Sequence, residues 1–407
     1  MEISLNNKIY NVIEKPYPHI LVDSKKEIHG WFYSKASGRR ECTSERLLIN
    51  PYNGCSFNCF FCYARAFTIR RFWSENEENY AQFKNFHVVI VYKDFDKIVA
   101  KQLDSIKIAS CGYLSPITDP FQQINEKYKL SEGIIAEFVK RNIPIEFVTK
   151  GKISDEAINL IKKQEHSFGQ ISILTLNDEL RKKLTNGAST EILLKNFERL
   201  YDNNIYVVAR IDPILPHLND NPQDLRNLIK EVKKRGAKHI IASCVDILKP
   251  ISAQFYEGLT RIDRNLVPKY KALYTENIGY YLNANINERK RLFENLKQIC
   301  NDEKISFSLC MEFEKTNIKG RETLSGLNHL YSTSLNCEGM NVPVYVKSAG
   351  NGKFQSLNKC KGNCLTCGNC QLTPELAQAK ALKLADYKRL GKIFENKFQT
   401  KVSRFNL

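Results

Sequence analysis

Between residues 46 and 310 the chain alternates short apolar, β-branched runs with amphipathic stretches of helical period. That alternation restricts it to α/β folds in which helices carry the chain between strands of one parallel sheet. The pattern predicts strands at 46–49, 87–91, 106–111, 145–149, 170–175, 205–211, 238–243 and 305–309. Helices are expected at 94–104, 130–141, 153–164, 189–202, 222–235 and 286–301. Six or more such units in series suit a partial (β/α)6 barrel of the TIM type, whose active site gathers where the strands end. Residues 1–45 then form an N-terminal arm, 46–310 the barrel and 311–407 a small C-terminal module. The module has a strand expected at 342–347 and a helix at 374–394.

The first strand runs into Asn50-Pro-Tyr-Asn-Gly-Cys-Ser-Phe-Asn-Cys-Phe-Phe-Cys-Tyr-Ala-Arg65, which places Cys55, Cys59 and Cys62 in a C-x3-C-x2-C spacing. Three thiolates on one tight loop can ligate three irons of a [4Fe–4S] cluster and leave the fourth iron open to a small molecule. The competing reading is a zinc site completed by a distant ligand, although zinc favours paired C-x2-C units. Aromatic residues flank the third cysteine, Phe61 before it and Tyr63 after it.

Thirteen cysteines occur in all, and seven of them fall within 55–62 and 360–370. Clustering of that kind speaks for metal or cluster ligation rather than disulfides. Most of the scattered cysteines are expected to be small buried hydrophobes. The start of the chain lacks the basic, then apolar, pattern of a signal peptide, and no apolar run is long enough to span a bilayer. A cytoplasmic, non-membrane protein with reduced thiols is therefore expected. With 43% hydrophobic and 26% charged residues the chain can bury a substantial core, and its formal charge of +17 suits a polyanionic partner such as nucleic acid. Basic groups beside aromatics between His29 and Arg40, and the Lys/Arg excess after residue 371, suit the same partner or a solvated surface.

The cysteine loop resembles that of the radical SAM superfamily. Three further segments are similar to its spore photoproduct lyase-like branch: Tyr113-Leu-Ser-Pro-Ile-Thr-Asp-Pro-Phe121, Phe147-Val-Thr-Lys-Gly151 and Ser172-Ile-Leu-Thr-Leu-Asn-Asp-Glu-Leu180. The likeness extends through Arg210-Ile-Asp-Pro-Ile-Leu-Pro-His-Leu-Asn-Asp220. It implies a radical SAM barrel with a [4Fe–4S] cluster on Cys55, Cys59 and Cys62. S-adenosylmethionine would bind the open iron and be split reductively, giving a 5′-deoxyadenosyl radical that takes hydrogen from substrate. Phe61 would lie against the adenine, and Thr118, Lys150 and Ser172 match positions that contact the cofactor. Asp119 suits a helix cap. Arg210 is a candidate to anchor a carboxylate or phosphate, or to brace the rim through Asp212.

Where the photoproduct lyase has a hydrogen-donating cysteine, this chain has Pro116, so Cys111 becomes the candidate thiol, with Tyr63 at a position tied to the hydrogen relay. Thr185-Asn186 also stands where relatives carry Glu-Pro.

Near the C-terminus, Cys360, Cys364, Cys367 and Cys370 form C-x3-C-x2-C-x2-C, with Gly362 and Gly368 permitting tight turns. Four thiolates can hold an auxiliary [4Fe–4S] cluster or a structural zinc, with Cys337 as a possible substitute ligand. The expected activity is hydrogen abstraction from nucleic acid, in photoproduct lyase-like repair or base modification, with electrons from a flavodoxin or ferredoxin. The alternatives are a radical SAM modifier of a small metabolite or protein side chain, and a non-catalytic iron–sulfur regulator or electron carrier.

Overall fold

The computed structural model describes residues 2–5, 8–24, 26–30, 46–65, 88–348, 352–357, 360–362 and 383–392. Seven parallel strands form its main sheet. They are β1 (Leu47–Ile49), β2 (Gly112–Leu114), β3 (Ile145–Thr149), β4 (Phe168–Ser172), β5 (Tyr206–Ile214), β6 (His239–Cys244) and β7 (Ser306–Leu309), adjacent in chain order. His29–Gly30 adds an antiparallel edge to β1. Helices α1 (Phe95–Asp104), α2 (Leu130–Lys140), α3 (Asp155–Ile161), α4 (Thr190–Asp202), α5 (Pro222–Lys234) and α6 (Ile286–Asp302) carry the crossovers. β1 and β7 are not paired with one another, so the barrel is partial.

The helices form where the sequence gives both a start signal and an apolar stripe. Before α5 the Asn221 side chain accepts the N–H groups of Gln223 and Asp224, and Pro222 occupies the first turn, where no N–H is needed. Leu225, Leu228, Ile229 and Val232 follow at helical spacing and are buried. Each such side chain contributes roughly 1.5–3 kcal/mol, and Leu228→Asp would break the contact.

Along the strands, successive residues face opposite sides of the sheet. Ile145, Phe147, Ile171, Val207, Ala209, Ile240, Ala242 and Phe307 share one hydrophobic cluster with the helix residues Phe197, Ile229 and Leu296. Their neighbours Glu146, Gln170, Ser172, Arg210, His239 and Ser308 therefore point inward.

The C-terminal segment fills the lower interior. Glu338 pairs with the buried Arg46 guanidinium, which also meets Glu146 at 2.9 Å. The Cys337 carbonyl oxygen is 3.1 Å from His239 Nε2. Val342 packs in an inner cluster with Cys111, Phe168, Val208 and Ile241.

Two expected strands belong elsewhere. The 106–111 run is split: Ile108–Ala109 pairs antiparallel with Tyr345–Val346, and the barrel strand is Gly112–Leu114. The 87–91 run becomes Val89–Lys93, in a small separate sheet between His19–Asp23 and Tyr52–Asn53. Within the expected C-terminal helix, residues 384–392 are helical. No helix among the described residues is long and apolar enough to cross a membrane.

Candidate active site

The cysteine loop leaves β1 through Tyr52–Asn53 and turns at Gly54, whose φ of 94° lies in the left-handed region open to glycine. The Cys62 N–H donates to the Cys59 carbonyl (3.2 Å), and Arg65 donates to the carbonyls of Cys59 (3.0 Å) and Asn58 (3.1 Å). The Cys59 thiol donates to Thr185 Oγ1 (3.1 Å), and the Asn186 N–H donates to the Phe57 carbonyl (2.8 Å). Thr185-Asn186 is thus the clamp that seats the loop on the barrel.

Burial pushes the Cys55 thiol well up, with Asp119, Cys59 and Cys62 adding to the shift. Cys62 also rises, first by burial and then by Cys59, against the opposing charges of Arg65 and Lys150. Cys55 and Cys62, enclosed and close to one another's charge, resist ionisation until a cationic centre compensates them. A cluster binds each thiolate to a different iron. Buried polar atoms without partners also border the loop: Asn53 Nδ2 and Oδ1, Ser56 Oγ and Ser115 Oγ. Donor set and unpartnered atoms together fit an iron–sulfur cluster held by Cys55, Cys59 and Cys62.

The expected cofactor contacts fare unequally. Thr118 Oγ1 donates to the Gly54 carbonyl (2.7 Å) and so braces the loop. Phe61 is buried in the main core beside Phe60, their ring centroids 5.3 Å apart. Lys150, just past β3, is half-buried and within electrostatic reach of Cys62, Asp119 and Asp212. Ser172, at the end of β4, donates to the Asp212 carbonyl at 3.4 Å.

Asp119 is no helix cap. Its carboxylate accepts the Phe121 N–H (2.9 Å), the Thr149 hydroxyl (2.8 Å) and the Lys150 N–H (2.7 Å), tying the turn after β2 to the end of β3. Burial pushes its pKa up to about 6 against those hydrogen bonds.

Arg210 braces the rim. It donates to Asp212 Oδ2 (3.1 Å from Nε), to Gln170 Oε1 (2.9 Å) and to Cys310 Sγ (2.9 Å). Asp212 also accepts the Ser243 hydroxyl. Burial would raise the Asp212 carboxyl, but Arg210 and Ser243 outweigh it and hold it below its ordinary value. An anchoring role for Arg210 toward a ligand is not what these contacts provide.

Tyr63 donates to the Pro116 carbonyl at 2.6 Å and is 43% exposed. Burial raises its phenol pKa, with Cys62, Cys310 and Asp212 adding to the shift. Cys111 lies deeper, fully buried with Phe168, Val208, Ile241 and Val342, and its thiol donates to the Gly112 carbonyl.

Two mouth residues escaped the sequence reading. Cys310 immediately follows β7, on the inward alternation of Ser306 and Ser308, and that register was the available signal. Asp246 follows β6. Burial raises its carboxyl to about 8, Glu312 and Asp212 add to the rise, and Arg289 opposes it. Of the C-terminal cysteines, Cys360 accepts the Val344 N–H at 3.3 Å, whereas Cys364, Cys367 and Cys370 lie outside the described residues.

A partial parallel barrel with a three-thiol loop after its first strand and polar groups at its strand ends defines a class of cluster-dependent SAM enzymes. Residues 49–232 match the Radical SAM superfamily model, which marks a radical SAM domain in that part of the chain. It is 25% identical over 390 residues to a radical SAM Nalpha-GlyT isomerase of Pseudomonas phage M6, covering 92% of this chain and 78% of the relative. An uncharacterized protein of Methanocaldococcus jannaschii is 28% identical over 204 residues, covering 49% of this chain and 72% of that protein. Among solved structures, a cysteine-to-serine mutant of spore photoproduct lyase superposes with a TM-score of 0.50 at 13% identity, covering 70% of this chain and 79% of the other, a likeness of fold.

Proposed function

We propose that this radical SAM enzyme abstracts hydrogen from a nucleic-acid substrate and rearranges it, in the manner of a base modification. The observation that carries this reading is the enclosed three-thiol loop facing a barrel mouth furnished with Lys150, Asp212, Tyr63 and Cys310. A bound cluster with S-adenosylmethionine supplies a hydrogen-abstracting 5′-deoxyadenosyl radical. The chain's own residues then have separate tasks. Thr185, Thr118 and Gln122 hold the loop. Lys150 offers a cation suited to the cofactor's carboxylate. The core around the loop and the C-terminal segment below it exclude water.

The formal charge of +17 supports a phosphate-bearing substrate. Similarity to an isomerase along nearly the whole chain supports rearrangement over fragment release. Lyase-like repair is the second reading, favoured by the barrel shared with spore photoproduct lyase. A flavodoxin or ferredoxin would supply the electron. The C-terminal cysteines would hold a second cluster or a zinc.

The test is deuterium transfer into 5′-deoxyadenosine from deuterated DNA, unmodified, base-modified or ultraviolet-treated, using anaerobically reconstituted and reduced protein. Label from modified bases supports the leading reading, and label only from irradiated DNA supports repair. Label only from peptides or metabolites contradicts both. DNA affinity that does not weaken with salt also counts against a nucleic-acid substrate.

A further inference from the structure

Asn53, Ser56 and Ser115 are 1%, 4% and 1% exposed, yet the Asn53 amide nitrogen and oxygen and both serine hydroxyls have no hydrogen-bond partner among the described residues. A buried polar group left without a hydrogen bond is costly, and proteins satisfy nearly all of theirs. Here several such atoms border a single cysteine.

Asn53 and Ser56 bracket Gly54-Cys55 in the sequence. Ser115 is tied to the same place from the end of β2. Its N–H donates to the Ile49 carbonyl (2.7 Å), and its carbonyl accepts the Thr118 N–H (3.3 Å). Thr118 in turn bonds the Gly54 carbonyl, and Gln122 joins Thr118 Oγ1 (2.9 Å) to the Ser56 N–H (3.0 Å). One hydrogen-bonded frame therefore fixes the backbones of Gly54, Ser56, Ser115 and Thr118 while both serine hydroxyls stay unpartnered.

Strand alternation separates Asn53 from its neighbour. Tyr52 donates to Asn125 Oδ1 (2.7 Å) on one face. Asn53 pairs with Ile90 and shares the opposite face with it, the side of the main core that also holds Phe57 and Cys59. Ser115 bears a second cost, since its φ of 60° lies in the left-handed region that a residue with a Cβ disfavours. Nothing in the local fold compensates for these costs, whereas the sulfurs of a bound cluster would accept from such donors.

We infer that Asn53, Ser56 and Ser115 donate side-chain hydrogen bonds to the sulfur atoms of the cluster at Cys55 and thereby make it easier to reduce. Hydrogen bonds to cluster sulfurs are one of the levers that set reduction potential. The inference rests on Cys55, Cys59 and Cys62 holding the cluster, and it is independent of the substrate.

The experiment compares Asn53→Leu, Ser56→Ala and Ser115→Gly with the unaltered full-length chain. Leucine nearly preserves the shape of asparagine, and glycine relieves the positive φ at 115, so folding is protected while the donors are lost. In the metal-free protein each variant should unfold at the same or higher denaturant concentration, because no bond is lost. After reconstitution the variants should keep the unaltered iron content. The cluster whose EPR signal changes on adding S-adenosylmethionine should then show a more negative midpoint potential, most negative in the triple variant.

Unchanged potentials at equal iron content would overturn the inference. Marked destabilisation of the metal-free variants would overturn it too, by showing that the side chains serve protein partners. An unaltered chain that takes up no iron would instead defeat the cluster assignment on which the inference stands.

Discussion

Arg210 on β5 reaches the thiol of Cys310 beyond β7, with 2.9 Å between Nη2 and Sγ. Cys310 lies in the electrostatic environment of Tyr63, Tyr113 and Asp212, just past the end of β7. Cys111 sits below, enclosed with Phe168 and Val208. Cys310→Ala should therefore change the product distribution or the coupling of 5′-deoxyadenosine to product by roughly tenfold or more, the scale expected when a reacting group is removed. Cys111→Ala should leave both within about twofold, costing only the stability of a small buried side chain. Product analysis by mass spectrometry checks this, and equal effects of the two variants would contradict the placement.

Asp246 faces Glu312, Arg289 and Asp212 from the end of β6, near Cys244 and Tyr274. Its carboxyl pKa in the folded chain is raised from 3.8 to about 8, so folding favours the protonated form. Stability from this group is intact below the unfolded value, near pH 4, and falls as pH rises toward 8. Asp246→Asn should be more stable than the unaltered protein above pH 8, with the difference vanishing toward pH 4. Urea unfolding of the metal-free chain between pH 4 and 9 tests the sign.

Gly151 follows Lys150 where the turn after β2 crosses the end of β3. A Cβ there would come within 2.5 Å of the Phe121 carbonyl oxygen, which is backbone and cannot swing aside. Gly151→Ala should cost about 1–3 kcal/mol. It should also separate Asp119 from the Lys150 N–H, weakening S-adenosylmethionine binding along with stability. Calorimetric titration of the cofactor against the reconstituted protein would reveal the coupled loss.

At the base of the barrel, Arg46 is shared between Glu146 and Glu338. Burial and the neighbouring Glu338 push the Glu146 carboxyl well up, while Arg46 opposes the shift. Arg46→Ala should destabilise the fold measurably by withdrawing the guanidinium that offsets the buried Glu146 carboxyl. Glu338→Gln should be near neutral because it removes one side of the repulsion. Denaturant midpoints of the two variants decide the order.

These relationships also mark what the sequence could convey. Strong local periodicity located β3 and α1, α2, α4, α5 and α6 within a residue or two, because each helix buries one stripe and each strand one alternation. The run 106–111 misled because its β-branched alternation fits any sheet, and its true partner, Tyr345–Val346, is far away in sequence. The three-cysteine loop is legible because Cys55, Cys59 and Cys62 are local in sequence, and the fold places it just past β1. Thr118 and Phe61 make their contacts, to Gly54 and to the core, with residues of other elements that a local pattern does not reveal, whereas bracing of Arg210 by Asp212, two residues on, is one of the two roles the sequence leaves open. Cys310 looked like one scattered cysteine until β7 placed it at the mouth.

The most direct measurement is anaerobic production of 5′-deoxyadenosine from S-adenosylmethionine by the reconstituted, reduced chain, compared with Cys59→Ala. The account predicts time-dependent 5′-deoxyadenosine from the unaltered protein and none above background from the variant. Equal yields from the two, or no 5′-deoxyadenosine from an iron-loaded unaltered chain, would contradict it.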